Sequence, residues 1–244
     1  MKKENSDVKK VVKGKKFGKV LKKILIVICA IALFGLITNA VLSNFYPKLT
    51  FIGHASIKIK ATTGEVIYVD PYFPTKSYNE PADIILVTHG HSDHNQIKLC
   101  KQKENCKVIK WSDAILDGEY QVFEEGNVRI EAVPSGGNSN HSLQGNVGYI
   151  ITVDGVSIYH SGDTSFVEET KSIAKKDIDY ALYTVNGVYT MGPDEATEMA
   201  DFIGAKVNIP IHGNGKEYWK QRKQFHEKHT KRLIWGQSIF LTKK

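Results

Sequence analysis

The stretch VTHGHSDH, residues 87–94, places three histidines and one aspartate within six positions, directly after the apolar run IILV. The whole chain has only nine histidines in 244 residues. Imidazole and carboxylate are the groups that hold zinc and similar divalent ions, at about 2.0–2.2 Å. In a His-x-His loop, His89 and His91 can aim two imidazoles at one ion. Asp93 and His94 can then turn to a second. Taken alone the stretch could also be a polar loop, so the decision rests on what the rest of the chain supplies.

It supplies ligands at matching places. VIYV ends at Asp70, DIILVT at His89, VSIYHSG at Asp163 and KVNIPI at His212. Each is a β-rich run that delivers one polar group right after its last apolar residue. Strand ends sharing one edge of a layered sheet converge on one site; scattered surface residues would not repeat that placement. The two oxygens of Asp163 can bridge two ions. The set suffices for a two-metal centre, with ions roughly 3.5–4 Å apart and a water or hydroxide between them. Zinc is the first expectation; manganese and iron suit the same donors, and availability decides among them. No serine or cysteine nucleophile is required.

Strands must carry these groups. Short β-rich runs recur from Leu49 onward: LTFIGHASIKIKA, VIYVD, DIILVT, KVIKW, VRIEAV, VGYIITV, VSIYHSG, YALYTV and KVNIPIH. In GYIITVDGVSIYHSG, Asp154-Gly155 suits a type I′ hairpin turn. Pro193, followed by Asp194 and Glu195, starts a helix over PDEATEMADFI that stops at Gly204. A second helix is expected over KEYWKQRKQFHEKHT, residues 216–230. Strands early and strand–helix alternation later indicate an α/β (α+β) chain with two mixed β-sheets flanked by helices.

The net charge of +7 belongs to a tail. Residues 1–23 carry ten lysines against Glu4 and Asp7, a net of +8, and the remainder carries −1. A nucleic-acid processor would need a basic channel, so no nucleic-acid partner is expected. No charge occurs from Ile24 to Pro47, and the 19 residues from Ile24 to Leu42 are enough for a helix to cross about 30 Å of hydrocarbon. A retained anchor is the favoured reading; a cleaved export signal and a buried helix are the alternatives. Ile28 before Cys29 excludes a lipoprotein signal. The expected organisation is a basic cytoplasmic tail (1–23), a transmembrane anchor or uncleaved signal (24–43) and one domain (44–244). Lysines inside place that domain outside the cytoplasm, and they can meet anionic headgroups at about 1 kcal/mol each. Cys100 and Cys106 could pair there.

THGHSDH resembles the H-x-H-x-D-H signature of the metallo-β-lactamase-fold hydrolases. FIGHAS, VDPYF, YHSGDT, YTMGPDEA and IPIHG follow in the order of one branch, which is similar to ascorbate-6-phosphate lactonases and N-acyl-phosphatidylethanolamine phospholipase D. The resemblance spans Leu49 to Leu241 and implies a four-layer αββα sandwich. It implies His89 and His91 on the first metal. Asp93 and His94 fall to the second, with Asp93 also orienting the nucleophile. Asp163 bridges, and His212 completes the second site. The third ligand of the first site is His141, in the Gly/Asn/Ser loop PSGGNSNHSLQGN. Asp70 reads as a turn residue or as the partner of a ligand histidine. His54, inside a strand pattern, reads as core or pocket. His160 reads as a packed or supporting residue, and Tyr189 and Met191 as pocket lining or core. His226 and His229 sit on a lysine-rich helix and face solvent.

The expected reaction is hydrolysis by a metal-held hydroxide of an ester, lactone or phosphodiester in a small-molecule or lipid-like substrate. The alternatives are β-lactamase-type amide hydrolysis and a tethered, non-catalytic metal-binding domain. Structural zinc sites are usually closed by four ligands, which argues against the last. The sequence leaves oligomeric state open. Protease added to intact cells should digest the 44–244 domain, followed by immunoblot; a protected domain contradicts export.

Overall fold

The computed structural model of the chain describes residues 2–213 and 215–244, with side-chain surroundings from Leu21 onward. Two compact units result, Met1–Phe45 and Tyr46–Lys244. The first is one helix, α1 (Lys2–Leu42), of 41 residues. Tail and apolar stretch are therefore continuous helix. The tail lysines as far as Lys19 lie outside the described side chains. Leu21–Leu42 has a mean hydropathy of 2.7 and contains no buried residue. At 1.5 Å per residue those 22 residues span about 33 Å.

The second unit is a mixed α/β fold with two six-stranded sheets. Along the chain run β1 (Lys48–Gly53), β2 (Ser56–Lys60), β3 (Val66–Val69), β4 (Ala82–Val87) and β5 (Gln102–Lys110). Next come α2 (Trp111–Ala114), the small hairpin β6 (Ile115–Leu116) and β7 (Glu119–Tyr120), β8 (Val122–Glu125) and β9 (Val128–Pro134). Then follow β10 (Val147–Val153), β11 (Val156–His160), β12 (Tyr180–Thr184), α3 (Pro193–Ile203), β13 (Val207–Ile211), α4 (Gly215–Gln224) and β14 (Ser238–Phe240). The first sheet has the order β14-β1-β2-β3-β4-β5 and the second β13-β12-β11-β10-β9-β8. Both are mixed: β3–β4–β5 and β11–β12–β13 pair in parallel and the other neighbours antiparallel.

Alternate residues of the two sheets meet in one core, including Phe51, Ile59, Val69 and Leu86 from the first and Ile130, Ile151, Leu182 and Ile211 from the second. On the far side of the second sheet α3 buries Ala196, Met199, Ala200 and Ile203 against Tyr159, Ala181 and Tyr183. Met191 belongs to this core and not to a pocket wall. The far side of the first sheet is covered by short 3-10 turns and the one-turn α2, through Tyr78, Ile97, Leu99 and Trp111.

Asp154 and Gly155 have φ of 49° and 76°, the two positive values a type I′ turn needs. α3 has the expected bounds, with Gly204 left-handed after its last turn. Three expectations shift. LTFIGHASIKIKA is two strands joined at His54 and Ala55, because the chain reverses there with His54 at φ 55°. KVIKW is the end of a longer strand, and Trp111 already belongs to α2. α4 ends at Gln224, not at residue 230. There Arg232 Nε donates to the Arg222 carbonyl (2.8 Å) and Arg232 Nη2 to that of Phe225, capping the orphan carbonyls of a finished helix. Cys100 and Cys106 are free thiols, and burial pushes Cys100 up to about 12.

Hydrogen bonds join the sheets next to the strand that carries the histidine loop, among them Val147 N–H to the Thr88 carbonyl (3.0 Å). The buried Tyr149 hydroxyl on β10 donates to the Val87 carbonyl on β4 (3.0 Å). Tyr149→Phe should cost about 1–2 kcal/mol, read as a lower urea midpoint with unchanged slope; an unchanged midpoint contradicts this role.

Candidate metal centre

Strands β3, β4, β11 and β13 lie in sheets whose ends meet at one edge, and their last residues are followed by Asp70, His89, Asp163 and His212. Of the five non-glycine residues with positive φ among the described residues, three lie here: His54 (55°), Asp70 (47°) and His212 (72°). Such backbone costs on the order of 1–3 kcal/mol per residue and clusters where function demands a particular side-chain direction. Two glycines are fixed by space. A Cβ on Gly90, between His89 and His91, would lie 3.1 Å from the Trp111 ring. Gly162, at φ 60°, would bring one within 2.8 Å of the Val147 carbonyl, so only glycine lets the chain turn there and present Asp163.

Asp70 is fully buried and its carboxylate accepts three hydrogen bonds. Thr88 N–H reaches Oδ1 (2.8 Å), and Thr88 Oγ1 (2.7 Å) and His94 Nδ1 (2.7 Å) reach Oδ2. With its proton given to Asp70, the Thr88 hydroxyl accepts from His89 Nδ1 (3.0 Å). Asp70 therefore points Nε2 of His94 into the site directly, and Nε2 of His89 through one hydroxyl. In the same way Asn138 Oδ1 takes Nδ1 of His141 (3.3 Å) and aims its Nε2 inward. Burial and the neighbouring His94 push the His89 imidazole down to about 3, which keeps it neutral.

The aimed atoms surround Asp163. Its Oδ2 lies 3.2 Å from His212 Nε2, 3.4 Å from His94 Nε2 and 3.5 Å from His141 Nε2. Burial alone would raise the Asp163 carboxyl, but His212 and His94 outweigh it and hold the group well below its usual range. Burial would lower His94, yet Asp163 and Asp70 raise it well above an ordinary imidazole. In Asp93 too, burial is outweighed, here by the hydrogen bond from His54 and the charge of His94, so the carboxyl stays ionised.

All seven expected ligands gather here. His89, His91 and His141 form one set of potential ligand atoms, within 4.8 Å of one another; His54, Asp93, His94 and His212 form a second, and His89, His94 and Asp163 a third that joins them. Nε2 of His89, His94 and His212, Nδ1 of His212 and Oδ1 of Asp163 are buried without any hydrogen-bond partner. Each such atom costs about 1–3 kcal/mol; divalent cations would satisfy the three Nε2 atoms and the Asp163 oxygen, leaving only His212 Nδ1 of this group, so the donors fit a metal. They border a cavity of about 240 Å³ lined by His91, Asp93, Asn140, His141, Asp163, Tyr189 and His212. Tyr189 is exposed on its rim. His160 is not a ligand: its Nδ1 accepts Gly162 N–H (3.2 Å) and its Nε2 meets the Ala55 carbonyl (2.8 Å), bracing two of the site's loops. His226 and His229 are exposed, away from the cluster.

Thr88 and Asn138 were not among the sequence candidates. A threonine directly before the His-x-His loop and an asparagine three residues before His141 are the only signals they leave. Asp70→Asn should weaken metal binding about 10–100-fold at histidines of both sets, and Thr88→Val only through His89. Competition with a chromophoric chelator measures this; unchanged affinity in Asp70→Asn contradicts the assignment.

A family profile described as the β-lactamase superfamily domain matches residues 48–212. A protein of Methanoculleus marisnigri named UPF0173 metal-dependent hydrolase is 34% identical over 186 residues, covering 68% of this chain and 80% of that protein. A Geobacillus protein of the same designation is 32% identical over 196 residues, covering 68% and 85%. Among solved structures, one described as a metal-dependent hydrolase from Parabacteroides distasonis superposes with a TM-score of 0.63 at 27% identity, covering 78% of this chain and 93% of its own. One from Thermotoga maritima, described as a zinc-dependent hydrolase of the metallo-β-lactamase superfamily, gives 0.54 at 28%, covering 70% and 78%. Profile, relatives and ligand cluster agree, and the chain belongs to the metal-dependent hydrolases of the metallo-β-lactamase superfamily.

Proposed function

We propose a membrane-anchored hydrolase that carries two divalent ions, zinc first, and cleaves an ester, lactone or phosphodiester bond in a small-molecule or lipid-like substrate outside the cytoplasm. The observation that carries the reading is the position of Asp163 Oδ2, within 3.5 Å of imidazoles from both ligand sets. His89, His91 and His141 would hold one ion, and Asp93, His94 and His212 the other, with Asp163 shared. When bound, the ions supply Lewis acidity toward a carbonyl or phosphoryl oxygen and a nucleophile derived from water near neutral pH.

The chain's own residues do the rest. Asp93 lines the cavity with its Oδ2 held by His54 (3.1 Å), so an ionised carboxylate is in place to orient the nucleophile as a hydrogen-bond acceptor. Asn140 and Tyr189 stand at the cavity mouth, where the part of the substrate beyond the scissile bond would rest. The uncharged, unburied Ile24–Leu42 segment supports the anchor, and the lysines before it support an N-terminus in the cytoplasm. The GHAS and YTMGPDEA contexts favour the lactonase and phospholipase branch over β-lactam hydrolysis.

Full-length chain in detergent, loaded with zinc or manganese, should hold about two ions and hydrolyse a member of a panel of lactone, bis-aryl phosphodiester, phospholipid and β-lactam substrates. A chelator should abolish turnover, and Asp93→Ala should lower kcat by about 10²–10⁴-fold. Fewer than one ion per chain, or full rate in Asp93→Ala, contradicts the reading.

A further inference from the structure

His54 stands among potential metal ligands, with Asp93, His94 and His212. Its hydrogen bonds separate a ligand from a residue that holds one. The backbone N–H of Gly213 can only donate, and it points at His54 Nδ1 (3.1 Å). Nδ1 therefore presents its lone pair, and in the neutral ring the proton sits on Nε2. Nε2 in turn faces Asp93 Oδ2 at 3.1 Å, a donor meeting a carboxylate. Both ring nitrogens are spent, and neither lone pair is left for an ion.

The same residue grips the segment that carries His212. The His54 carbonyl accepts the His212 N–H (2.7 Å), and the two rings lie 4.0 Å apart between centroids. Left-handed backbone at His54 turns its ring and its carbonyl toward that segment together. His54 thus joins two elements distant in sequence, the loop of Asp93 and the end of β13.

We propose that His54 is a positioning residue for the second ion: a fixed-tautomer clasp that sets the rotation of Asp93 and the placement of His212, without itself ligating. The consequence for the second ion rests on the two-ion reading above; the tautomer does not.

Two substitutions distinguish this from a merely structural role. Asn places an acceptor where Nδ1 sits and tolerates positive φ, but is too short to reach Asp93. Gln carries an amide donor out to the Nε2 position but is strained at positive φ and gives up the Gly213 acceptor. A structural role makes His54→Asn the mild variant and His54→Gln the severe one. The clasp predicts the reverse for metal, whatever the melting temperatures do. Cobalt titration of the full-length chain in detergent, read by visible absorption and metal content, should show His54→Asn with the second ion weakened about 10–100-fold and the first unchanged. His54→Gln should stay close to wild type. A His54→Gln chain no better than His54→Asn overturns the proposal. Long-range ¹H–¹⁵N correlation on metal-free chain with labelled histidine should show His54 protonated at Nε2; a proton at Nδ1 overturns it. A wild-type chain binding one cobalt contradicts the two-ion reading alone, and the tautomer then decides His54.

Discussion

A carboxylate at 2% exposure, ringed by three imidazole nitrogens, is the constraint on which this domain is built. Removing a carboxylate from water costs several kcal/mol even after relaxation. Asp163 must therefore be matched by positive charge at close range. Histidines supply part of that match: Asp163 and Asp70 raise His94 well above an ordinary imidazole, and His212 and His94 hold Asp163 well below the usual carboxyl range. A divalent cation supplies the same charge more compactly and displaces the proton. The imidazoles come from the β4 loop, the loop before β10 and the end of β13, so both sheets must close correctly for the charge to be met at all.

Around this centre the surrounding residues fix protons. Asp70 orients one histidine of each ligand set, His94 directly and His89 through Thr88. Asn138 does this for His141, and Gly213 for His54. An imidazole is aimed most firmly when its other nitrogen is engaged; His89, His94 and His141 have such partners, on turns rather than on strand interiors, whereas His212 is held through its backbone, its N–H donating to the His54 carbonyl. That explains the left-handed residues at His54, Asp70 and His212: the strands set the direction of approach, and the strained turns set the final angle.

Much of this was legible in the sequence, for a physical reason. Groups able to hold a metal are few in kind, and strand ends are marked by the change from apolar to polar residues, so the gathering of His89, Asp163 and His212 at one edge was readable. Asp154-Gly155 and Pro193…Gly204 were readable because turn and cap chemistry is local. What stayed hidden depends on contacts distant in sequence. Thr88 looks like any strand-terminal threonine until Asp70 is folded beside it. His54 lies in an alternating pattern that reads as unbroken strand, and only the antiparallel pairing of β1 with β2 shows the reversal. The end of α4 is decided by Arg232, which lies beyond the helix. The tail and the apolar stretch form one helix because no proline or turn signal separates them, although their charge differs sharply.

In the proposed enzyme Asp163 stands between two ions. Anomalous diffraction at the zinc edge, from crystals of the zinc-loaded chain, should then show two peaks on either side of Asp163, roughly 3.5–4 Å apart, one among His89, His91 and His141 and the other beside Asp93, His94 and His212. A single peak, or a second one away from Asp163, would contradict it.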